Sequence, residues 1–251
     1  EKYIPKQRLW YIRAKEVIIS SGSIERPLVF GNNDTPGVML SSAAKEYLKI
    51  YGVLVGKKPL VFTNNDSGYE TAIEFKKNGV DPIVLDTRKD PNSEIIKEAK
   101  DLNINIKSSY VVVTAKGYKK VKSADIAKIS DDKKNLSNIE NIQCDCICVS
   151  GFWTPTIHLA SQSGNKTKFN DEIDAFIPSQ SKQKETTLGS ANGIFTLEET
   201  LKTSFEKGSE LSKKITNKEN KVSIPTVQEK KSSNHDKFWC VPLPEGKNYK
   251  R

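Results

Sequence analysis

The sequence has no long apolar run, no spaced set of cysteines and only two histidines, and these shortages exclude several classes of protein. No stretch of about 18 consecutive apolar residues occurs, so we predict no membrane-spanning helix. The first residues lack the basic, apolar and small-residue order of a signal peptide. Three of the four cysteines stand together in CDCIC, unlike the spaced framework of a secreted disulfide protein. We therefore expect a soluble, cytoplasmic protein.

The net charge of +9 raises the question of a nucleic-acid partner, but most of that charge lies near one end of the chain. From Lys202 to Arg251 there are twelve basic and six acidic residues, which accounts for +6 of the total. No basic and aromatic interleaving and no zinc-finger spacing accompanies this charge. We predict a solvated basic linker over 211–251, leading toward a further C-terminal domain, and no nucleic-acid partner.

Short apolar runs alternate with amphipathic stretches through the middle of the chain. The predicted elements follow in the order PLVFT (strand), SGYETAIEFKKNG (helix), DPIVLD (strand), NSEIIKEAKDLN (helix), INIKSSYVVVTA (strand) and QCDCICVSG (strand). Strand, helix, strand, helix, strand is the βαβ pattern. The sequence therefore predicts an α/β fold with a parallel sheet.

Local signals refine this outline at three places. LSSAAKEYLKIYG is typical of a helix that ends at its glycine. Ser67 and Glu70 have the spacing of a capping box, and Gly79 is expected at the C′ position of the same helix. At the start of the chain, LWYIRAKEVIISSG predicts a two-stranded hairpin.

The stretch LVFTNNDSGYETA, residues 60–72, stands where a dinucleotide-binding domain carries its glycine fingerprint. Set against G-x-G-x-x-G/A, the fingerprint positions hold Thr63, Asn65 and Gly68, so two of the three glycines are missing. Asn tolerates a left-handed backbone, which would let the turn form. Asp86 ends the next strand, about 20 residues on, where an acid binds the ribose hydroxyls.

Two interpretations of this turn stay open: a phosphate-binding turn of reduced affinity, or an ordinary Asn-rich turn in a βαβ unit. Arg88 follows the acid closely and can accept a 2′-phosphate, so the choice between NAD and NADP stays open here. The candidate cofactor-binding residues of this part are Thr63, Asn64, Asn65, Asp66, Ser67 and Asp86.

Three longer stretches resemble a known family. They are VIISSGSIERPLVFGNNDTPGVMLSSAAKEYL, TNNDSGYETAIEFKKNGV and CDCICVSGFWTPTIHLASQSGNKTKFNDEIDAFIP. Together they are similar to the alpha subunits of heterotetrameric sarcosine oxidases, and VSGFWTPTIHLASQSGNK is the most specific piece. The resemblance implies a flavoprotein fold with two dinucleotide-binding domains, of the FAD/NAD(P)-binding, pyridine nucleotide-disulfide oxidoreductase-like type, incomplete at its N-terminus.

The resemblance also orders the chain into segments. They are the end of a first dinucleotide-binding domain (1–34), an inserted second NAD-binding-like Rossmann domain (35–147), the return of the first domain (148–210) and the linker (211–251). The first domain's own fingerprint would precede residue 1. The further cofactor-binding candidates are Ser21, Gly22, Gly151, Gly189, Asn192 and Gly193.

In this family, the complex oxidises sarcosine to glycine, forms hydrogen peroxide and passes a one-carbon unit to tetrahydrofolate. The resemblance implies NAD on the alpha subunit, FAD and FMN in the assembled complex, folate chemistry on a C-terminal region outside this chain, and beta, gamma and delta subunits as partners. It places no catalytic residue here. With the glycine turn degraded, we favour NAD in the first domain.

Alternatives remain at this stage. One is a subunit of a related dehydrogenase for proline or N-methylglutamate, and another is a scaffold whose nucleotide folds bind nothing. Cys144, Cys146 and Cys148 alternate along one strand, and we expect small buried side chains rather than a metal site. His158 and His235 have no nucleophile or acid at motif spacing, so we assign neither a catalytic role.

Overall fold

A computed structural model describes residues 5–218, 223–227 and 235–243 of the chain, which divides into two compact units. The first unit comprises Glu1–Ser23 and Pro155–Glu229, and the second comprises Ile24–Thr154 and Lys230–Arg251. Along the sequence, the second unit thus interrupts the first. The boundaries assigned from the sequence stay a prediction.

Strands outnumber helices in the described residues. The strands are β1 (Val17–Ile19), β2 (Ser23–Glu25), β3 (Val38–Leu40), β4 (Pro59–Thr63), β5 (Ile83–Asp86), β6 (Asn105–Ser108), β7 (Tyr110–Lys116), β8 (Ser123–Lys128), β9 (Glu140–Gln143), β10 (Cys146–Ser150), β11 (Trp153–Pro155), β12 (Thr167–Asn170), β13 (Ala175–Pro178) and β14 (Glu185–Thr187). The helices are α1 (Ser41–Tyr51), α2 (Ser67–Lys77), α3 (Glu94–Asp101), α4 (His158–Gln162), α5 (Leu197–Thr216) and the short 3₁₀ helix Gly189–Asn192. None of these helices combines the length and the hydropathy that crossing a bilayer demands.

The second unit is built on a parallel sheet of five strands, in the order β3-β10-β4-β5-β6. Every residue of β4 and β10 is buried, as expected of inner strands covered on both faces. Leu60 and Phe62 pack on one side with β7 and β8, and Val61 packs on the other side with helix residues such as Tyr69 and Phe75. The predicted α/β fold with a parallel sheet is confirmed.

Three smaller sheets lie within one unit or the other. In the second unit, β7, β8 and β9 form an antiparallel sheet. In the first unit, β1 pairs in parallel with β14, and β12 pairs antiparallel with β13. The 20-residue helix α5 carries two glutamates in its first turn and two lysines in its last, which suits the helix dipole.

The predicted helix ends are confirmed at both glycines. Gly52 follows α1 with φ of 64°, and its N–H donates to the carbonyl oxygen of Leu48. Gly79 follows α2 with φ of 78°, and its N–H donates to Lys76 O. A left-handed residue just past the last turn is where glycine avoids the strain of a Cβ.

The predicted hairpin at the start of the chain is wrong. Residues 7–14 form no strand, and β1 takes as its partner β14, with Val17 opposite Glu185. The apolar run of LWYI stays exposed instead. Strand pairing is decided by backbone hydrogen bonds to whichever strand lies adjacent, so local composition did not reveal this distant partner.

The predicted capping box at the start of α2 is also wrong. The N-cap residue is Asp66, and the Ser67 N–H donates to Asn65 Oδ1 at 2.8 Å. Glu70 instead pairs with Lys45 Nζ at 2.5 Å. An asparagine amide oxygen two residues upstream has therefore taken the capping role, as in an Asx turn.

The start of α1 rests on a buried carboxylate. Glu25 is almost fully buried, and its Oε2 accepts a hydrogen bond of 2.8 Å from the Ser42 N–H, an orphan donor of the first helical turn. Burial raises the pKa of Glu25 above its usual value, although the hydrogen bond to Ser42 opposes this. The folded state therefore favours the protonated acid more than the unfolded state does.

Because this pKa is raised, the free energy of unfolding should fall as pH rises from about 4.5, the usual value, through the raised pKa. Glu25→Gln keeps an oxygen acceptor for Ser42 and removes the titration. We expect the melting temperature of the variant relative to wild type to increase between pH 4 and pH 7, with the exposed Glu46→Gln as control. A difference independent of pH would contradict the assignment.

Candidate functional site

The carboxyl ends of three parallel strands meet at one edge of the second unit. In the sheet register, Thr63 lies opposite Asp86 on one side and opposite Ser150 on the other. Open α/β sheets bind ligands in the crevice outside the carboxyl ends of their strands. The predicted phosphate turn and its acidic partner therefore share one place, which we call the nucleotide edge: residues 63–67, 86–88 and 150.

The turn after β4 is closed by its own side chains. Thr63 Oγ1 accepts from the Asn65 N–H at 3.1 Å and donates to Asn65 O at 2.8 Å. The Asn65 side chain donates to Ser150 O at 3.1 Å, while its oxygen caps Ser67. Neither Asn64 nor Asn65 has a positive φ, so the expectation that asparagine serves a left-handed backbone is wrong. The amides join neighbouring segments instead.

Gly68, the one fingerprint glycine that remains, is required by packing. A Cβ at this position would lie 2.6 Å from the Thr63 Cβ, closer than real Cβ contacts. This is the role of the third fingerprint glycine, which lets the helix approach the strand. The fold has kept the packing glycine, whereas the positions that a pyrophosphate approaches carry side chains.

Asp86 is completely buried and already bound by groups of its own chain. Its Oδ2 accepts from Tyr69 Oη at 2.8 Å and from Arg88 Nη2 at 2.8 Å. Its Oδ1 accepts from the Arg88 N–H at 2.9 Å and from Nε at 3.0 Å. The carboxylate that the sequence assigned to a ribose therefore has its lone pairs filled by Arg88 and Tyr69.

Arg88 lies between two carboxylates rather than facing solvent. Its Nη1 contacts Asp66 Oδ1 at 2.9 Å, and only 9% of its side chain is exposed. Burial lowers the pKa of Arg88, but the hydrogen bonds and charges of Asp86 and Asp66 outweigh burial and raise it. Burial, with the neighbouring Asp86 charge, raises the pKa of Tyr69, so its hydroxyl stays a donor. The predicted 2′-phosphate contact would require Arg88 to leave both acids.

Residues 235–243 lie directly against the nucleotide edge. The Asp236 N–H donates to Asn64 O at 2.8 Å, and Asn64 Nδ2 donates to the carbonyl oxygens of Asp236 and Phe238 at 2.9 and 3.1 Å. Thr87 Oγ1 donates to Asp236 Oδ2 at 2.9 Å, and Lys133 Nζ contacts the same oxygen at 2.9 Å. The prediction of a solvated linker is wrong for this part of the chain, because its backbone and carboxylate bind the second unit.

Ser21 and Gly22, candidates from the first unit, both bond to the backbone of Thr156. Ser21 Oγ donates to Thr156 O at 2.7 Å, and the carbonyl oxygen of Gly22 accepts from the Thr156 N–H at 2.9 Å. Gly22 has φ of 75°, and a Cβ there would lie 4.0 Å from Ser190 Oγ. The turn after β1 thus faces the 3₁₀ helix that carries the other candidates of this unit.

The 3₁₀ helix holds Gly189 and Asn192, and Gly193 follows it. The Gly193 N–H donates to Ser190 O at 3.1 Å, and the Ile194 N–H donates to Gly189 O at 3.2 Å. These two amides close the turn itself, and α5 begins at Leu197. The cofactor-binding roles of the first-unit candidates stay predictions.

Gly151 and the three clustered cysteines are packed closely within the protein. A Cβ on Gly151 would lie 2.7 Å from the carbonyl oxygen of Arg26, and its N–H donates to the same oxygen. Cys144, Cys146 and Cys148 are buried, as predicted, and the sulfurs of Cys146 and Cys148 lie 3.5 Å apart. Within the described ranges, no three His, Cys, Asp or Glu residues gather as a metal site.

The structure thus brings together Thr63 to Ser67 and Asp86, and adds functional groups that sequence reasoning missed. Arg88 was identified as a phosphate contact, not as the partner of two acids. Thr87, Lys133 and Asp236 carried no signal at all, because they meet across 46 and 149 positions of sequence. In this conformation the nucleotide edge does not fit a dinucleotide bound in the usual way. Asp86, the acid predicted to bind the ribose, is already bonded to Tyr69 and Arg88, and the turn is bonded to residues 236 and 238.

Removing the Arg88 charge should destabilise the fold strongly. Arg88→Met leaves the buried Asp86 carboxylate without its cation, and breaking a buried pair from one side costs about 3–5 kcal/mol. We expect a large fall in the urea midpoint, measured by circular dichroism. Lys89→Met is the matched control, since Lys89 pairs with Asp131 where both are mostly exposed, and its midpoint should stay close to wild type.

The double variant Asp86→Asn/Arg88→Met separates charge from packing. If an uncompensated carboxylate causes the loss, neutralising Asp86 should restore part of the stability that Arg88→Met removes. Equal midpoints for the single and double variants would show that the loss comes from packing alone.

Several proteins of known identity are similar to this chain in sequence or in fold. The chain is 32% identical over 191 residues to the sarcosine oxidase subunit alpha of Corynebacterium sp. strain U-96, a match that spans 76% of the chain and 20% of that protein. It is 35% identical to the subunit alpha of Rhizobium meliloti strain 1021, over 75% of the chain and 18% of the relative. The chain thus spans about a fifth of the length of these relatives. No family model matches it.

Among solved structures, thioredoxin reductase from T. acidophilum is similar with a TM-score of 0.55 at 16% identity, covering 72% of this chain and 59% of that one. At this identity the likeness shows the fold alone. The predicted pyridine nucleotide-disulfide oxidoreductase-like type is therefore confirmed as a fold, which this chain shares with thioredoxin reductase. Over its matched part, the chain is thus similar in sequence to the alpha subunits of sarcosine oxidases.

Proposed function

We propose that this chain is the nucleotide-cofactor-binding part of a sarcosine oxidase alpha subunit. The observation that carries the proposal is sequence identity of 31–35% to three such subunits over about three quarters of the chain. The complex would demethylate sarcosine oxidatively to glycine, form hydrogen peroxide and pass the one-carbon unit to tetrahydrofolate. Folate chemistry would belong to a part of the alpha subunit outside this sequence.

The domain assignment forms part of this proposal. The first unit would be the end and return of a first dinucleotide-binding domain, and the second unit the inserted Rossmann domain. Support comes from the order of the chain, since residues 24–154 interrupt residues 1–23 and 155–229. The five-stranded parallel sheet of the second unit is the architecture that such an insertion needs.

NAD, in this proposal, is held by the first domain and not by the nucleotide edge of the second. The engagement of Asp86 by Arg88 and Tyr69 supports this division, because a ribose would have to displace both. FAD and FMN would lie in the assembled complex, where the flavins supply the redox chemistry. This chain would contribute position and electrostatics.

The proposed partners are the beta, gamma and delta subunits of a heterotetramer in the cytoplasm. The resemblance to these alpha subunits places no catalytic residue in this chain. His158 stands at the start of the five-residue helix α4, and His235 stacks on Phe152 at 4.0 Å. The chemistry would therefore depend on groups supplied by the rest of the complex.

Activity of the assembled complex tests the proposal. The full-length alpha subunit, purified with its beta, gamma and delta partners, should release hydrogen peroxide when sarcosine is added, as measured by a peroxidase-coupled assay. The isolated chain should release none, because in this proposal the flavins that carry the redox chemistry lie in the assembled complex. L-Proline and N-methylglutamate serve as competing substrates.

Two results would overturn this function. Faster turnover of L-proline or N-methylglutamate than of sarcosine would move the chain to a related dehydrogenase. Absence of peroxide with every amine, from a complex that retains its flavins, would favour a scaffold without redox function.

A further inference from the structure

Asp236 is the ligand-like group of the nucleotide edge. Its Oδ2 lies 2.9 Å from both Thr87 Oγ1 and Lys133 Nζ, a hydroxyl donor and a cation. Lys133 Nζ also donates to the carbonyl oxygen of Thr87, which fixes the ammonium at this place. A hydroxyl and an ammonium directed at one oxygen form an anion site, and here the anion is a carboxylate of the same chain.

The position of this contact within the fold is specific. Thr87 directly follows Asp86, the last residue of β5, and the Thr87 N–H donates to Thr63 O at 3.0 Å. The Asp236 backbone reaches the phosphate turn itself, through its two hydrogen bonds with Asn64. One short segment thus spans from the turn to the ribose end of the edge, the path that a dinucleotide follows in this fold.

A separate set of contacts anchors the same segment. Val29 and Cys240 form a parallel bridge, in which the Val29 N–H donates to Trp239 O and the Val241 N–H donates to Val29 O, both at 2.8 Å. Phe238 and Val241 are buried in the hydrophobic core. The Arg26 guanidinium lies 3.9 Å from the centre of the Trp239 ring.

The two sets of contacts differ in exposure, so they can open independently. The side chains of Asp236 and Lys133 are 22% and 27% exposed, whereas the anchor residue Val241 is 1% exposed. Partly hydrated ion pairs contribute little stability, whereas buried apolar side chains contribute more. The polar contacts therefore form a clasp at the edge, and the apolar contacts hold the segment when the clasp opens.

We propose that residues 235–241 are an internal strap that closes the nucleotide edge, with the Asp236 carboxylate held by Thr87 and Lys133 where an anionic group of a ligand would lie at the ribose end of the edge. Through the strap, the chain itself supplies hydrogen-bond partners to Asn64 and Thr87 of the edge. Any anionic ligand of this edge would have to compete with Asp236. The inference rests on contacts within the second unit and not on the reaction proposed above.

Inorganic phosphate tests whether an anion site lies beneath Asp236. We expect the melting temperature of Asp236→Ala to rise saturably with phosphate, by about 2–4 °C relative to chloride at equal ionic strength. Wild type should show no saturable rise, because its carboxylate fills the site. Asp236→Ala/Lys133→Met should lose the response, since the cation is gone.

Asp131→Ala is the matched control for freeing a lysine. It removes an acid from the same loop as Lys133 and releases Lys89, which is 67% exposed and belongs to no site. An equal phosphate response in Asp131→Ala, or no response in Asp236→Ala, would overturn the anion site.

Hydrogen exchange tests the strap without removing Asp236. In Lys133→Met we expect the Asp236 amide, which is bonded to Asn64, to exchange at least tenfold faster, while the Val241 amide keeps its protection. Equal acceleration at both amides would show that clasp and anchor are one unit, and no acceleration would show that Lys133 holds nothing. Either result would overturn the strap, even if Asp236→Ala did not fold.

Discussion

A guanidinium buried between two carboxylates determines the nucleotide edge of the second unit. Arg88 cannot be removed from water without anions beside it, and Asp86 cannot be buried without a cation. Each therefore fixes the other, and Tyr69 adds a hydroxyl donor that burial keeps protonated. Once Asp86 is bound in this way, the end of β5 offers no free acid to a ribose.

The asparagine turn is likewise closed by groups of the chain itself. In a dinucleotide-binding turn, glycines let a pyrophosphate approach backbone amides that would otherwise lack partners. Here the amide of Ser67 is bonded to Asn65, and Asn64 bonds to the backbone of residues 236 and 238. Side-chain amides and a segment of the chain thus satisfy the groups that a ligand would otherwise satisfy. Gly68 persists because strand packing requires it.

Sequence patterns predicted the parts of the fold that depend on local chemistry. The apolar runs of β4, β5 and β10 and the periodic pattern of α2 identified the βαβ core, and glycines marked the ends of α1 and α2. Pairing over long distances had no such signal. The partner of β1 lies about 170 residues away in β14, and the local pattern favoured a hairpin instead.

The sequence predicted which residues of the candidate site lie together, but not which groups their side chains bind. The spacing from Thr63 to Asp86 predicted that these residues lie together, because parallel strands end at one side of a sheet. Nothing in that spacing shows whether Asp86 faces solvent or Arg88. The contribution of Asp236 was hidden by its polar surroundings, which are typical of a linker.

The central claim is that the chain's own groups fill the nucleotide edge of the second unit. Its most direct test is a titration of NAD and NADP followed by ¹⁵N-resolved amide spectra of the chain. Our account predicts no saturable shifts for the amides of residues 63–67, 87, 88 and 236. Saturable shifts of these amides at low ligand concentration, together with loss of the Asp236–Asn64 hydrogen bond, would contradict it.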